Sequence, residues 1–448
     1  MLTEENVERL AMLGAERLAE ELLRLAPRSD EAYTLVQRLL SSPEENLARF
    51  RRRLGGLKRG RKFIDWRAAP GFAADLEGVL EELRAVAPEP GKGLELLAEF
   101  YRCDGKVFER CDDSSGYIGD VFRHDALELF VEYAQRCDDE AWVADLLFDL
   151  FLGDEYGVRT ELLVAAARFL TEETRRALAA RLWKWWQENP QLAFHLRVGV
   201  ELLARGLRDP ALFERAALAG ERQPQPGVWL MIAEVFLEAE EPEEALLRLE
   251  HVPATSHFID KRDLLLYTAY EQLGDEERML PVAWRIFERS RSMESLKLVL
   301  RAVGEERREA IVEQEVSRIL SGEGFSHSDA AFLVEMARFQ DAEAYLLCHR
   351  DRLDGDMYYV LLPWAKILEE TGYALGAVVL YRALLESILA RAQSKYYHHG
   401  VRYLKKLNAL ASQVDDWGAV VPHSEYADEL RQLHGRKHSF WSRYEGKR

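Results

Sequence analysis

Apolar residues recur along most of this chain at spacings of three and four, the period of a helix with one buried face. Ala15, Leu18, Ala19, Leu22, Leu25 and Ala26 share such a face, and Pro27 stops that helix. Tyr33, Val36, Leu39 and Leu40 predict a second, closed by Ser41-Ser42-Pro43. Ser42, Pro43 and Glu45 form an N-cap, N1 and N3 set for the next. The apolar run from Leu162 to Leu170 gives way to Thr171-Glu172-Glu173. Thr171 suits an N-cap, and the acids suit the positive end of a helix dipole. Sustained period-two alternation is missing, and the Asp104-Gly105 and Asp354-Gly355 pairs stand between helical patterns, not between strands.

The second half repeats weakly. Turns are expected near Glu240-Glu241-Pro242, Gly274-Asp275, Gly304-Glu305, Phe339-Gln340-Asp341 and Gly372. Their spacing of roughly 30 to 35 residues is that of one helix–turn–helix repeat. Large and small residues alternate across the turns: Trp229, Ala233 and Phe236 against Ala245; Tyr267 and Tyr270 against Trp284 and Phe287; Trp364 against Ala377 and Tyr381. Small residues let a neighbouring helix approach a bulky side chain. The pattern predicts an all-α fold, a right-handed α-α superhelix of tetratricopeptide- or HEAT-like hairpins in two lobes. Residues 1–222 read as an irregular N-terminal lobe, 228–390 as the repeats and 391–448 as a basic, aromatic capping hairpin. The boundary falls at Gln223-Pro224-Gln225-Pro226-Gly227, and the longest loops are expected at 54–70 and 111–119.

Composition narrows the function. The 448 residues are 48% hydrophobic and 31% charged, enough for a core and a solvated surface, and their net charge of −18 argues against a chain that coats nucleic acid or anionic membrane with its whole surface. Four cysteines without a C-x-x-C pair, an acidic N-terminus and the lack of any long apolar run point to a cytoplasmic protein outside the membrane.

Three segments hold candidate chemistry. Arg49, Arg51, Arg52, Arg53, Lys58, Arg59, Arg61 and Lys62 lie within residues 49–62 with no acid among them. Gly55, Gly56 and Gly60 suggest a flexible middle, and Phe50, Phe63 and Trp66 offer rings for stacking. The plainer alternative is a solvated loop paired with acidic helices. The loop from Cys111 to Asp120 resembles a calcium loop superficially, but with Gly116 in the glycine position both ends lack the required carboxylate. A turn held by Asx and Ser hydrogen bonds is expected there, with Asp154-Glu155-Tyr156-Gly157 as a loop that would have to converge on it to build a metal site. From Arg391 onward, 11 Lys/Arg stand against 6 Asp/Glu, and five histidines fall here: His398, His399, His423, His434 and His438. His398, His399, Arg402, His434, Arg436 and Lys437 mark a candidate surface, with Lys405 and Lys406 as further cations. His434 and His438 would be i and i+4 on one helix, a chelating spacing without the H-E-x-x-H pattern. Tyr396, Tyr403, Trp417, Phe440 and Trp441 read as anchors of the cap. No nucleophile elbow, P-loop or dinucleotide fingerprint occurs, and Cys348 and His349 would diverge on a helix, so no catalytic residue, metal or cofactor is assigned.

The C-terminal run Tyr396-Tyr-His-His-Gly-Val-Arg-Tyr-Leu-Lys-Lys-Leu, then Trp417, His423, Tyr426, Leu430 and His434-Gly-Arg-Lys-His-Ser-Phe-Trp441, resembles the end of an uncharacterised bacterial family known only as a domain of unknown function. Asp112-Asp-Ser-Ser-Gly116 and Asp154-Glu-Tyr-Gly157 resemble its N-terminal half, so the likeness covers most of the chain. The last hairpin is also similar to one in helical proteins associated with SWIM-type zinc fingers. Their C-x-C…C-x-H pattern is missing, so no zinc or DNA role carries over. The resemblance implies a fold and no activity. Three readings stand open: a scaffold that binds a protein or peptide partner in a concave groove, an RNA- or DNA-binding protein using residues 49–62, and a metal-dependent enzyme assembled from several loops. The absence of catalytic motifs favours the first.

Overall fold

A computed structural model describes residues 4–446. Their regular elements are helices; among them no strand occurs, and Ile64 and Cys111 form an isolated β-bridge. The chain divides into two compact units, Met1–Arg248 and Leu249–Arg448. Within each, successive helices pack on their chain neighbours, as in a helical-repeat solenoid.

In the first unit, Ala15–Leu25 ends in a 3-10 turn that contains Pro27. Ser42 caps Pro43–Arg59 in a full capping box: its hydroxyl accepts from the Glu45 N–H at 3.2 Å, and the Glu45 carboxylate accepts from the Ser42 N–H at 2.8 Å. Thr171 caps Glu172–Glu188 through the Thr174 N–H.

The expected loop at 54–70 is corrected. The helix continues to Arg59, straight through Gly55 and Gly56. Each glycine costs a helix about 1 kcal/mol relative to alanine. Phe50, Leu54 and Leu57 fall on one face and are buried. Each such side chain gains roughly 1.5–3 kcal/mol from burial, so the apolar face wins. The true loop starts at Gly60, and the bridge at Ile64 pins it: Ile64 N–H donates to the Arg110 carbonyl at 2.9 Å, and Asp112 N–H donates to the Ile64 carbonyl at 2.8 Å. The basic and acidic segments are therefore joined along their backbones.

Asp104 and Arg159, 55 residues apart, form a buried ion pair in this unit. Arg159 donates to both Asp104 oxygens, at 2.8 and 2.6 Å, and to the carbonyls of Leu150 and Tyr101 at 3.0 and 3.1 Å. The pair ties the Pro90–Tyr101, Asp104–Phe108 and Glu140–Leu152 helices to the turn before Thr160–Val164. Pro226–Glu238, which follows the Gln223–Gly227 break, packs on the preceding helix Pro210–Leu218 inside the same unit.

Most of the expected repeat turns are present. Glu240, Gly274, Gly304 and Gly372 all take positive φ at helix ends. The turn expected at Phe339–Asp341 comes slightly earlier, at Ala337 with φ 56°, and Phe339 opens the next helix. In the second unit, Ile259–Leu273 packs on Glu276–Arg289, and Tyr358–Glu370 on Ala374–Arg391, with Tyr267, Phe287, Trp364, Ala377 and Tyr381 buried. Further along, Tyr397–Ala411 packs on Ala374–Arg391, and His438–Tyr444 packs on Tyr397–Ala411. Phe440 is fully buried, and a Cβ at Gly400 would lie 3.1 Å from its ring, so the glycine gives that ring its place.

Candidate functional site

The basic run lies mostly on a helix, and its cations divide into two groups. Arg53 donates to Glu82 and to the Asp75 carbonyl, both at 2.8 Å; Arg49 donates to the Ser41 hydroxyl at 2.9 Å; Arg51 sits 3.8 Å from Glu99. These three fit the plainer reading of a paired surface. Arg52, Lys58, Arg59, Arg61 and Lys62 are exposed and make no ion pair among the described residues. Phe50 is core, which removes it as a stacking ring. Phe63 and Trp66 are exposed, and Arg67 lies over the Trp66 ring at 4.7 Å.

The acidic loop is an Asx-stabilised turn. Asp113 accepts from the N–H groups of Ile118 and Gly119 at 2.9 and 2.8 Å, and Asp112 from that of Ser114 at 3.1 Å. Asp154 likewise accepts from the N–H groups of Val158 and Arg159 and from the Thr160 hydroxyl. Tyr156 stacks on Phe108, so this loop leans on the short helix before the acidic turn, yet its carboxylate serves its own backbone. Among the described residues no group of three or more His, Cys, Asp or Glu is placed to hold a metal.

At the C-terminal end the expected His434/His438 pair is corrected. The helix His423–His434 ends at the first of them, and His438 opens the next helix. Gly435 to Lys437 break the ladder, so the i, i+4 geometry does not form. The His434 carbonyl accepts from the Trp441 indole at 2.9 Å, and Arg436 stays exposed while Lys437 is half-buried. Lys406 is spent too: it binds Glu369, which also accepts from the Tyr381 hydroxyl at 2.7 Å.

Two of the predicted residues do meet. His399 and Arg402 line a cleft of about 460 Å³ together with Tyr358, Leu362, Leu384, Ile388, Tyr396 and Tyr403. Arg391 reaches the same cleft and pairs with Asp356 at 3.3 Å. His398 points elsewhere, its Nδ1 2.9 Å from the Lys395 carbonyl. Burial, the nearby His398 and Arg402 together pull the His399 pKa below its ordinary value. Tyr396 is half-exposed at the cleft, whereas Tyr403, Phe440 and Trp441 are buried.

Sequence reasoning missed the turn that shapes the cleft. A Cβ on Gly355 would come within 2.0 Å of the Ala383 carbonyl, so only glycine lets the turn lie against Ala374–Arg391. The signal was the Asp354-Gly355 pair, read only as a break between helices. It also missed Arg382, a lone cation among buried Val378, Val379 and Leu385.

Residues 3–200 and 216–443 match the model described as "Family of unknown function (DUF6880)". No curated protein matches the chain.

Proposed function

The chain belongs to DUF6880, a family of unknown function, and we propose that it works as a tetratricopeptide-like binding scaffold whose C-terminal cleft takes an acidic, aromatic-containing segment of a protein partner. One observation carries this reading. The chain has a net charge of −18, yet no carboxylate lines the cleft, where apolar and aromatic side chains meet Arg391, His399 and Arg402. Tyr358 and Tyr359 stand 60% and 66% exposed beside it. Rigid aromatic surface with a cationic edge suits a peptide that joins apolar to acidic residues. No described helix is long and apolar enough to cross a membrane, and the four unpaired cysteines support work in the cytoplasm.

The test is selection from a displayed random-peptide library on the full chain. Peptides with acidic residues beside aromatic ones should be enriched, and Arg402→Glu should weaken them by about tenfold or more. Failure to enrich any such sequence, or equal binding by the variant, contradicts the proposal.

A second reading, single-stranded nucleic acid on the surface of Lys58, Arg59, Arg61, Lys62, Phe63 and Trp66, is favoured by the coincidence of unpaired cations and exposed rings. Its test is a gel shift at low salt. Binding should fall steeply as salt rises, and no shift at any concentration removes it.

A further inference from the structure

Ala374–Arg391 lines a groove of about 990 Å³ with Val379, Ala383, Glu386, Ser387 and Ala390. The helix His423–His434 lines it with Tyr426, Glu429, Leu430 and Leu433. Both sets recur at three and four residues, so each helix turns one face to the groove. From Val379 to Ala390 that face is about 16 Å long, three turns of helix. Val379, Val420 and Leu430 are buried parts of the lining, whereas Val421 is 41% and Leu433 79% exposed. Exposed apolar side chains that continue a buried apolar wall suit the apolar face of an incoming amphipathic helix.

Charge selects the sign of that occupant. Five carboxylates line the groove against three arginines. Arg391 is engaged by Asp356 at 3.3 Å, and Arg350 lies 4.0 Å from Asp351 and donates to the Leu347 carbonyl at 3.1 Å. Arg382 is 7% exposed, its guanidinium 4.1 Å from the centre of the Tyr426 ring and 5.3 Å from that of Trp417, so its donors are closed off from the groove. Burial, and then Lys437, lower the His434 pKa, which leaves that ring largely neutral at pH 7. Glu386 and Glu429, one from each helix, reach solvent and form no ion pair among the described residues. Desolvation raises the Glu386 pKa by more than the Tyr426 hydroxyl and Arg382 lower it, so a further cation beside it is favourable.

We propose that this groove docks a basic amphipathic helix of a protein partner, with its apolar face on Val420, Val421, Leu430 and Leu433 and its lysines or arginines on Glu386 and Glu429. The groove shares only Gly355 and Arg391 with the lining of the peptide cleft and takes the opposite charge, so the two proposals can fail separately.

The test is calorimetric titration of the full chain with a leucine–lysine amphipathic peptide of about four helical turns. Two control peptides of the same length replace its lysines by glutamate or its leucines by glycine. The leucine–lysine peptide should bind saturably, and both controls should be weaker by about tenfold or more. Glu386→Gln with Glu429→Gln should weaken it about fivefold or more. Glu16→Gln with Glu20→Gln, exposed carboxylates of the first unit, should leave it unchanged, as should Arg402→Glu in the other cleft. Leu433→Gln, at a side chain too exposed to carry the fold, supplies a second variant that should weaken binding by a similar factor. Equal binding of the leucine-free peptide overturns the proposal, because attraction to an acidic protein would then explain it. So does binding that survives both groove variants, or that falls equally with Glu16→Gln and Glu20→Gln. Self-association of the chain that rises with concentration and is lost in Leu433→Gln also overturns it, since the occupant would then be a second copy.

Discussion

Two buried arginines in this protein live under opposite conditions. Arg159 makes four hydrogen bonds, two of them to Asp104, while Arg382 leaves one guanidinium edge without a protein partner. Removing one member of a satisfied buried pair strands the other, at a cost of about 3–5 kcal/mol. Arg159→Met should therefore lose stability of that order in chemical denaturation, and a loss under about 1 kcal/mol would mean that the Asp104 carboxyl finds relief elsewhere. Asp263 gives a pH-dependent case. Burial alone would raise its pKa, but the hydrogen bonds of Arg285 and Arg289 outweigh burial and hold it below the ordinary carboxylate range. A depressed folded pKa stabilises fully above the unfolded value of about 3.9 and less as pH falls toward the folded one. Stability should thus drop as acid is added below about pH 4, and Asp263→Asn should flatten that slope while lowering stability at neutral pH. An unchanged slope in the variant would contradict the assignment. None of these partnerships was legible in the sequence. The caps at Ser42 and Thr171 were, because a cap and its target are three residues apart, whereas Asp104 and Arg159 are separated by 55.

Helices were readable wherever an apolar face was continuous, and misread where local propensity opposed that face. Gly55-Gly56 looked like a hinge, yet the buried side of Phe50, Leu54 and Leu57 carries the helix across it. The reverse error placed His434 and His438 on one helix, because their i, i+4 spacing was followed past Gly435, the glycine that marks the break. Glycines inside helices separate these situations experimentally. A Cβ at Gly56 would meet nothing within 4 Å, so Gly56→Ala should stabilise by about 0.5–1 kcal/mol. At Gly93 a Cβ would lie 2.5 Å from the Tyr133 ring, whose hydroxyl donates to the Ala87 carbonyl at 2.9 Å. Gly93→Ala should destabilise by about 1–3 kcal/mol despite its better helix propensity. Melting curves of the two variants check both signs at once. Matching shifts would mean that propensity, not close approach, sets the use of glycine here.

For the whole molecule, the all-α hairpin architecture follows from periodicity and turn spacing, and family membership agrees with the likeness carried by the C-terminal motif and the two acidic turns. The candidate site was legible only in part. Charge asymmetry pointed to the C-terminal end and picked out His399 and Arg402. Tyr358, Gly355 and Arg382 reach the same region from helices and turns that composition does not single out, since a cleft is assembled from side chains distant in sequence. The most direct test of the scaffold account is hydrogen–deuterium exchange of the full chain with and without a library-selected acidic peptide. The account predicts added protection at residues 355–362 and 391–403. Protection confined to residues 58–67, or none at all with peptide bound, would contradict it.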